Sequence, residues 1–331
     1  MKNSSATYLG VDLGGTKLLV GEMNERGELL RHKKYASGPL PQPAALELIQ
    51  NSVADYLATG RPAGAPQPLA MGVGLVGRID SQRGLWLEIE PGRTAQLPIA
   101  QLLARQFELP CYADNDVRSA AKAEMLFGYG SQSENLVYIN VGTGLAAGIV
   151  AHGRLISGGH CNAGEVGHTG SGILQRVPCI CGRPDCVEAV AAGSGIDKCA
   201  RLLAPEYPGT LLRIPPEGER VEVAEVFALY EQDALCRRLA DNAAQALANL
   251  VMNLVRVTDP DTVVLGGGVM SDGFLYPKVL EKIDPYTTRF VTNGIVLTKL
   301  NPAFVGLMGA CSNAIQGLKQ PPQKQETEET A

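Results

Sequence analysis

The 331 residues are 45% hydrophobic and 19% charged, with a formal net charge of −5; this is the size and balance of a chain with two packed lobes rather than a fibrous or disordered one. The acidic balance and a pI near 5.5 disfavour a nucleic-acid partner. No apolar run approaches the roughly 20 residues of a membrane span, and the opening MKNSSATYLGVD lacks an apolar signal core before a small-residue cleavage site, so a cytoplasmic protein without a membrane partner is expected.

In chain order, YLGVDLGGTKLLVGEMNERGELL starts at Tyr8 and reads as apolar run, Gly-Gly turn, apolar run and polar turn. That pattern predicts a β-hairpin opening a sheet. Residues 43–60 carry apolar positions at helical spacing and end at a glycine, a helix. PLAMGVGLVG (68–77) predicts a strand running into a glycine turn. In YADNDVRSAAKAEMLFG (112–128) a strand-like start passes into an alanine-rich helical stretch. NLVYINVGTGLAAGIVAHGRLI (135–156) then repeats the opening pattern. Asp12-x-Gly14-Gly15-Thr16 is echoed by Asn140-x-Gly142-Thr143-Gly144. Two copies of one unit predict a duplicated α/β architecture with a ligand between the halves. The Pro- and Gly-rich stretch 205–220 predicts a surface loop. A long helical segment, ALCRRLADNAAQALANLVMNLVRVTDP, precedes a third glycine turn in VVLGGGVM (263–270). The last dozen residues, 320–331, have the composition of a disordered tail.

Three features can carry chemistry. The glycine turns let backbone N–H groups approach phosphate oxygens with no Cβ in the way. Thr16 adds a hydroxyl, Lys17 a charge, and Asp12 a carboxylate able to hold hydrated magnesium. A tight hairpin is the competing account of each turn, and none matches the P-loop or dinucleotide fingerprints. Asn115 and Asp116 stand between strand and helix. A carboxylate there can take the proton of a substrate hydroxyl attacking a γ-phosphorus, or either residue can cap the helix. Finally, eight cysteines are present, at 111, 161, 179, 181, 186, 199, 236 and 311. A reducing compartment argues against a disulfide framework. His168 with Cys179, Cys181 and Cys186 suits a closed tetrahedral zinc site with no open coordination position. Reduced, buried cysteines are the alternative account, and His160 is an alternative ligand. Glu165 and Glu188 flank this group, as solvated charges or as grips for sugar hydroxyls.

Taken together, these motifs resemble the ROK family of bacterial sugar kinases and related regulators. DLGGTK (12–17) resembles the first phosphate loop, NVGTG (140–144) the second, and LGGGV (265–269) the adenosine segment, with Gly266, Gly267 and Gly268. DND (114–116) resembles the Asn-Asp catalytic pair. AGEVGH (163–168) with CICGRPDCVE (179–188) resembles the sugar-and-zinc signature. The resemblance implies an actin-like, ribonuclease-H-type fold of two α/β lobes with an internal duplication and a central cleft. Residues 1–113 plus 303–319 would form the smaller lobe and 114–302 the larger, zinc-bearing one. It further implies ATP, Mg2+ and a structural zinc ion, a sugar substrate and a homodimer. Asp116 would be the general base. Gly77, Asn115, Asp116, Glu165, His168 and Glu188 would contact the sugar, with His168 also on zinc.

Several positions depart from the family pattern. Arg118 replaces an asparagine two residues after the catalytic Asp, where it would lower the pKa of Asp116, hold a substrate anion or point to solvent. Ala146 and Ala147 stand where glycines usually continue the second loop. Asp185 fills a turn position usually held by glycine. Gly77-Arg78 replaces Gly-Pro, and IEPGRTA (89–95) lies where the usual sugar segment is not recognisable. The implied activity is ATP-dependent phosphorylation of a hexose or N-acetylhexosamine at the 6-hydroxyl. Glucose, N-acetylmannosamine and N-acetylglucosamine are the leading substrates. A sugar-responsive regulator is disfavoured because only about six residues precede the first strand, and the zinc signature argues against a non-kinase actin-like ATPase.

Overall fold

A computed structural model describes residues 6–15, 17–61, 65–89 and 96–319. Thr16, residues 90–95 of the segment singled out at 89–95, and the 320–331 tail lie outside the described residues. In chain order the first elements are β1 (Thr7–Leu13), β2 (Lys17–Asn24), β3 (Leu29–Ala36), α1 (Gln42–Thr59), β4 (Met71–Leu75), β5 (Arg78–Asp80), β6 (Leu85–Glu88), α2 (Ile99–Phe107), β7 (Cys111–Asn115) and α3 (Asp116–Phe127). They are followed by β8 (Leu136–Val141), β9 (Leu145–Ala151), β10 (Arg154–Leu155), α4 (Val187–Ala191), α5 (Gly193–Leu203), α6 (Val223–Ala228), α7 (Ala234–Thr258), β11 (Thr262–Gly266), α8 (Leu275–Glu281), β12 (Ile295–Leu297) and α9 (Val305–Lys319).

The chain divides into two compact units. One takes the described residues of Met1–Phe127, Gly159–Cys161 and Ala303–Ala331, the other Gly128–Gly158 and Asn162–Pro302. The expected boundary at 113/114 therefore falls instead at Phe127/Gly128. The reason is α3, which packs against α9: a Cβ on Gly309 would stand 2.4 Å from the Ser119 carbonyl carbon, so only glycine allows that approach.

The first unit is built on a sheet of order β3-β2-β1-β4-β7. β2 runs antiparallel to β1 and β3, while β4 runs parallel to β1 and β7. The inner strands LGVDL and MGVGL are near-continuous apolar runs because both sheet faces are covered; Leu9, Val11, Met71, Val73 and Leu75 are fully buried. β3 alternates half-buried and exposed residues, as an edge strand with one wet face does. Tyr56 of α1 and Trp86 of β6 complete the core, and Trp86 Nε1 donates to the Val76 carbonyl at 3.1 Å.

The second unit repeats the plan, with order β10-β9-β8-β11-β12. β9 is antiparallel to β8 and β10, and β11 is parallel to β8 and β12. Strand order and strand sense thus match position by position, the duplication expected of the actin-like fold. The 25-residue α7 backs this core. Asp233 caps it by accepting from the Cys236 N–H at 2.9 Å, and Asp259 ends it in the left-handed region at φ 44°. Among the described residues no helix is long and apolar enough to cross a membrane.

Candidate active site and metal centre

In the first unit the Asn-Asp pair sits where β7 turns into α3. The Asn115 side-chain oxygen accepts from the Val117 and Arg118 N–H groups at 3.0 and 3.1 Å. Asn115 therefore caps the helix, and the Asp116 carboxylate at the first helical position also accepts from the Val117 N–H, at 2.9 Å. Asn115 Nδ2 donates to the Gly77 carbonyl at 3.0 Å, which brings together three of the residues predicted to meet the sugar. Gly77 has its own structural reason to be glycine. Its φ is +95°, and a Cβ there would lie 2.1 Å from the Glu88 carbonyl oxygen.

Arg118 does not point to solvent. It is buried, its guanidinium pairs with Asp114 at 2.6 Å, and it donates to the Ile79 and Cys161 carbonyls at 2.6 and 3.0 Å. Lys122 reaches the other Asp114 oxygen at 2.6 Å and Asn313 at 2.9 Å. Burial presses the Asp114 carboxyl upward, but the charges of Lys122 and Arg118 outweigh it and hold the group below the usual carboxylate range. Asn313 in turn donates to Val73 O and Ser119 Oγ, and Ser119 Oγ donates to the Asn115 carbonyl at 2.7 Å. A fully partnered buried network of this kind fixes one geometry. Arg78 is likewise committed, to Glu88 at 2.8 Å and to the His160 carbonyl.

The first glycine turn is a tight hairpin: Gly14 N–H donates to the Lys17 carbonyl at 2.9 Å. Yet among the described residues a Cβ on Gly15 would meet no atom within 4 Å, and Gly15 does not have positive φ. Neither packing nor backbone conformation among the described residues requires glycine there. Asp12, half-buried at the end of β1, faces the start of α9: a Cβ on Gly306 would lie 2.4 Å from its carboxylate. Burial, partly offset by Lys17, raises its carboxyl to about 6.

In the second unit two glycine turns adjoin. Gly267, at φ +92°, approaches Val141 so closely that a Cβ would sit 2.4 Å from its carbonyl oxygen. A hollow of about 50 Å³ lies beside Gly266, Gly267, Met270 and Leu297, while Gly268 faces open space. The other turn leans on α5: Gly193 N–H donates to the Gly142 carbonyl and Ser194 N–H to the Thr143 carbonyl, at 2.9 and 3.1 Å. Glu188 accepts from the Leu145 N–H at 2.9 Å, and a Cβ on Gly144 would stand 2.9 Å from the same oxygen. Glu188 thus braces the glycine turn, a role its sequence position did not suggest.

The four candidate metal ligands come together. The ligand atoms of His168, Cys179, Cys181 and Cys186 lie within 4.8 Å of one another. Cys181 Sγ is 3.4 Å from Cys186 Sγ, and Cys179 Sγ is 3.4 Å from His168 Nδ1. Tetrahedral zinc with bonds of about 2.3 Å places sulfurs roughly 3.8 Å apart, so the donor set fits; His160 is not part of it. The Arg183 N–H holds the Cys181 thiol down to about 6, whereas burial pushes Cys186 up to about 12. His168 turns Nδ1 to the sulfurs and Nε2 toward Glu165, 3.9 Å away; a carboxylate behind a metal-binding imidazole orients the ring. Asp185 takes φ +56°, the left-handed geometry its glycine-like position demands. It also accepts from the Val177 and Arg176 N–H groups at 2.9 and 3.0 Å, folding the knuckle that carries Cys179.

Three comparisons place this geometry among known proteins. A family model described as ROK family matches residues 8–316. The chain is similar to the glucokinase of Halalkalibacterium halodurans, 29% identical over 297 residues that cover 88% of this chain and 89% of that protein. It is also similar to the N-acetylmannosamine kinase of Salmonella arizonae, 31% identical over 274 residues, 81% of this chain and 86% of that one. Among solved structures, a ROK hexokinase from Thermus thermophilus, 28% identical, superposes with a TM-score of 0.72 over 95% of this chain and 99% of that chain.

Proposed function

The chain belongs to the ROK family and is a sugar kinase, and on that premise we propose that it moves the γ-phosphoryl group of ATP to the 6-hydroxyl of a hexose or N-acetylhexosamine, with Asp116 as general base. The observation that carries the reading is the pair of matching sheets, each with a glycine turn between its first two long strands. A turn of this kind offers backbone N–H groups to phosphate oxygens.

Asp116 accepts the proton of the attacking hydroxyl as the sugar oxygen bonds to the γ-phosphorus and the bond to the bridging oxygen breaks, releasing ADP. Asn115 keeps the corner that presents Asp116 in one conformation. Asp12, Lys17 and the N–H groups of the glycine turns would hold the phosphates and Mg2+, which neutralises phosphate charge when bound. Glu165, His168 and Glu188 would grip the sugar hydroxyls, and zinc on His168 and the three thiolates would fix the segment that bears them. The test is ADP release across a panel of glucose, N-acetylmannosamine, N-acetylglucosamine and sugar acids. A phosphorylated neutral hexose or N-acetylhexosamine is expected, and turnover with sugar acids alone would overturn the substrate class.

A further inference from the structure

The stretch 205–220, which composition marks only as a surface loop, is pinned at both sides of one arginine. On α5, Asp197 and Arg201 pair at 3.0 Å. Arg201 donates to the Pro215 and Glu219 carbonyls, each at 2.7 Å. Asp197 accepts from the Val221 N–H at 3.0 Å, and the Val221 side chain is buried. The backbone is therefore anchored immediately before and immediately after Arg220. Between those anchors the exposed Arg220 guanidinium is delivered to the second glycine turn, with Nη1 3.4 Å from Thr143 Oγ1.

The same helix positions both partners. The first N–H groups of α5 hold the Gly142 and Thr143 carbonyls, and its next turns hold residues 219 and 221. Turn and arginine are thus referred to one rigid element, which is how a site keeps its geometry. Among the described residues Arg220 makes no ion pair with a carboxylate, although glutamates precede and follow it. A guanidinium held beside a glycine turn, with its charge uncommitted, suits phosphate oxygens, which it engages through planar paired N–H groups.

We propose that Arg220 is a nucleotide-binding residue of this kinase, contacting the polyphosphate of ATP from the second-turn side; the inference rests on the reading of 140–144 as a phosphate loop. The guanidinium exchanges the Thr143 hydroxyl for a phosphate oxygen, with no change in the loop that carries it.

The experiment compares binding of ATP, ADP and adenosine to the full chain by calorimetry, for the parent, Arg220→Gln, Arg220→Lys and Gly142→Ala. Arg220→Gln is expected to weaken ATP and ADP about tenfold or more, the scale of one hydrogen bond to a charged group. Adenosine affinity and thermal midpoint should stay at the parent values, and Arg220→Lys should recover part of the loss. Equal affinity of parent and Arg220→Gln for ATP overturns the proposal, and so does an equal loss for ATP and adenosine. Gly142→Ala separates the two readings. Should it weaken ATP while Arg220→Gln does not, only the arginine assignment falls; should neither weaken ATP, the phosphate loop falls with it.

Discussion

The two units repeat one sheet plan but secure their functional corners by opposite means. In the first, the β7–α3 corner stands on buried charge: Asp114 between Arg118 and Lys122, with Asn313 and Ser119 filling the remaining hydrogen bonds. In the second, the sugar-motif segment gathers three thiols and an imidazole in an arrangement able to hold a metal ion. A buried ion network is set once by folding and depends on every partner being present. A metal knuckle is set by an ion that can be removed. The contrast predicts that the two corners fail independently and under different treatments.

The largest effect expected tests the first corner. Asp116→Asn should lower kcat by about 10²- to 10⁴-fold with an unfolding midpoint near the parent's, since the cap is Asn115; full activity in steady-state assays would remove Asp116 as base. Next, metal analysis should find about one zinc per chain. Cys181→Ser should lose that zinc and weaken sugar binding about 10- to 100-fold while leaving ATP affinity in place. Stoichiometric zinc in the variant would break the ligand set. Arg118→Met should do the converse. It leaves Asp114 with one counter-charge and costs about 3–5 kcal/mol of stability, read by urea unfolding, with zinc content unchanged; loss of zinc there would show that the corners are coupled.

The smallest effect concerns Asp12. Its folded-state pKa of about 6 lies above the ordinary carboxylate value, so the stability linked to its protonation is complete below about pH 3.9 and lost as pH rises through 6. Asp12→Asn should accordingly unfold at a higher temperature than the parent at pH 7.5, and the difference should close toward pH 4. A pH-independent difference in calorimetric midpoints would refute the raised pKa.

The hairpins, the long α7 and the duplication were legible because they are written in local periodicity and turn residues. The candidate metal ligands were legible because three thiols and an imidazole within nineteen residues, His168 to Cys186, form a chemical set, and the fold gathers them. What escaped sequence reasoning depends on partners distant in the chain. Arg118 was flagged as a departure, but its partners Ile79 and Cys161 lie far away in sequence. Its one local clue was Asp114, four residues earlier, with Lys122 four residues later. Asp185 was read for backbone tolerance, whereas its carboxylate organises residues 175–177. Glu188 was read as a sugar ligand or a solvated charge, and its hydrogen bond to Leu145 emerges only once strand β9 is placed beside α4.

The helix α9 has a consequence for the order of assembly. Its residues press against strand glycines of the first unit so closely that a Cβ on Gly72 would overlap the Ala310 carbonyl, and one on Gly10 would strike Cys311 and Leu307. On the ribosome, the first sheet is complete in sequence by Asn115, but the helix that covers this face arrives only with Val305–Lys319. The second unit, Gly128–Gly158 and Asn162–Pro302, is fully synthesised before then. Nascent chains normally fold from the N-terminus forward. Here the first unit to be translated is the last to close, and its glycine-lined sheet face waits, uncovered, through the synthesis of the other half.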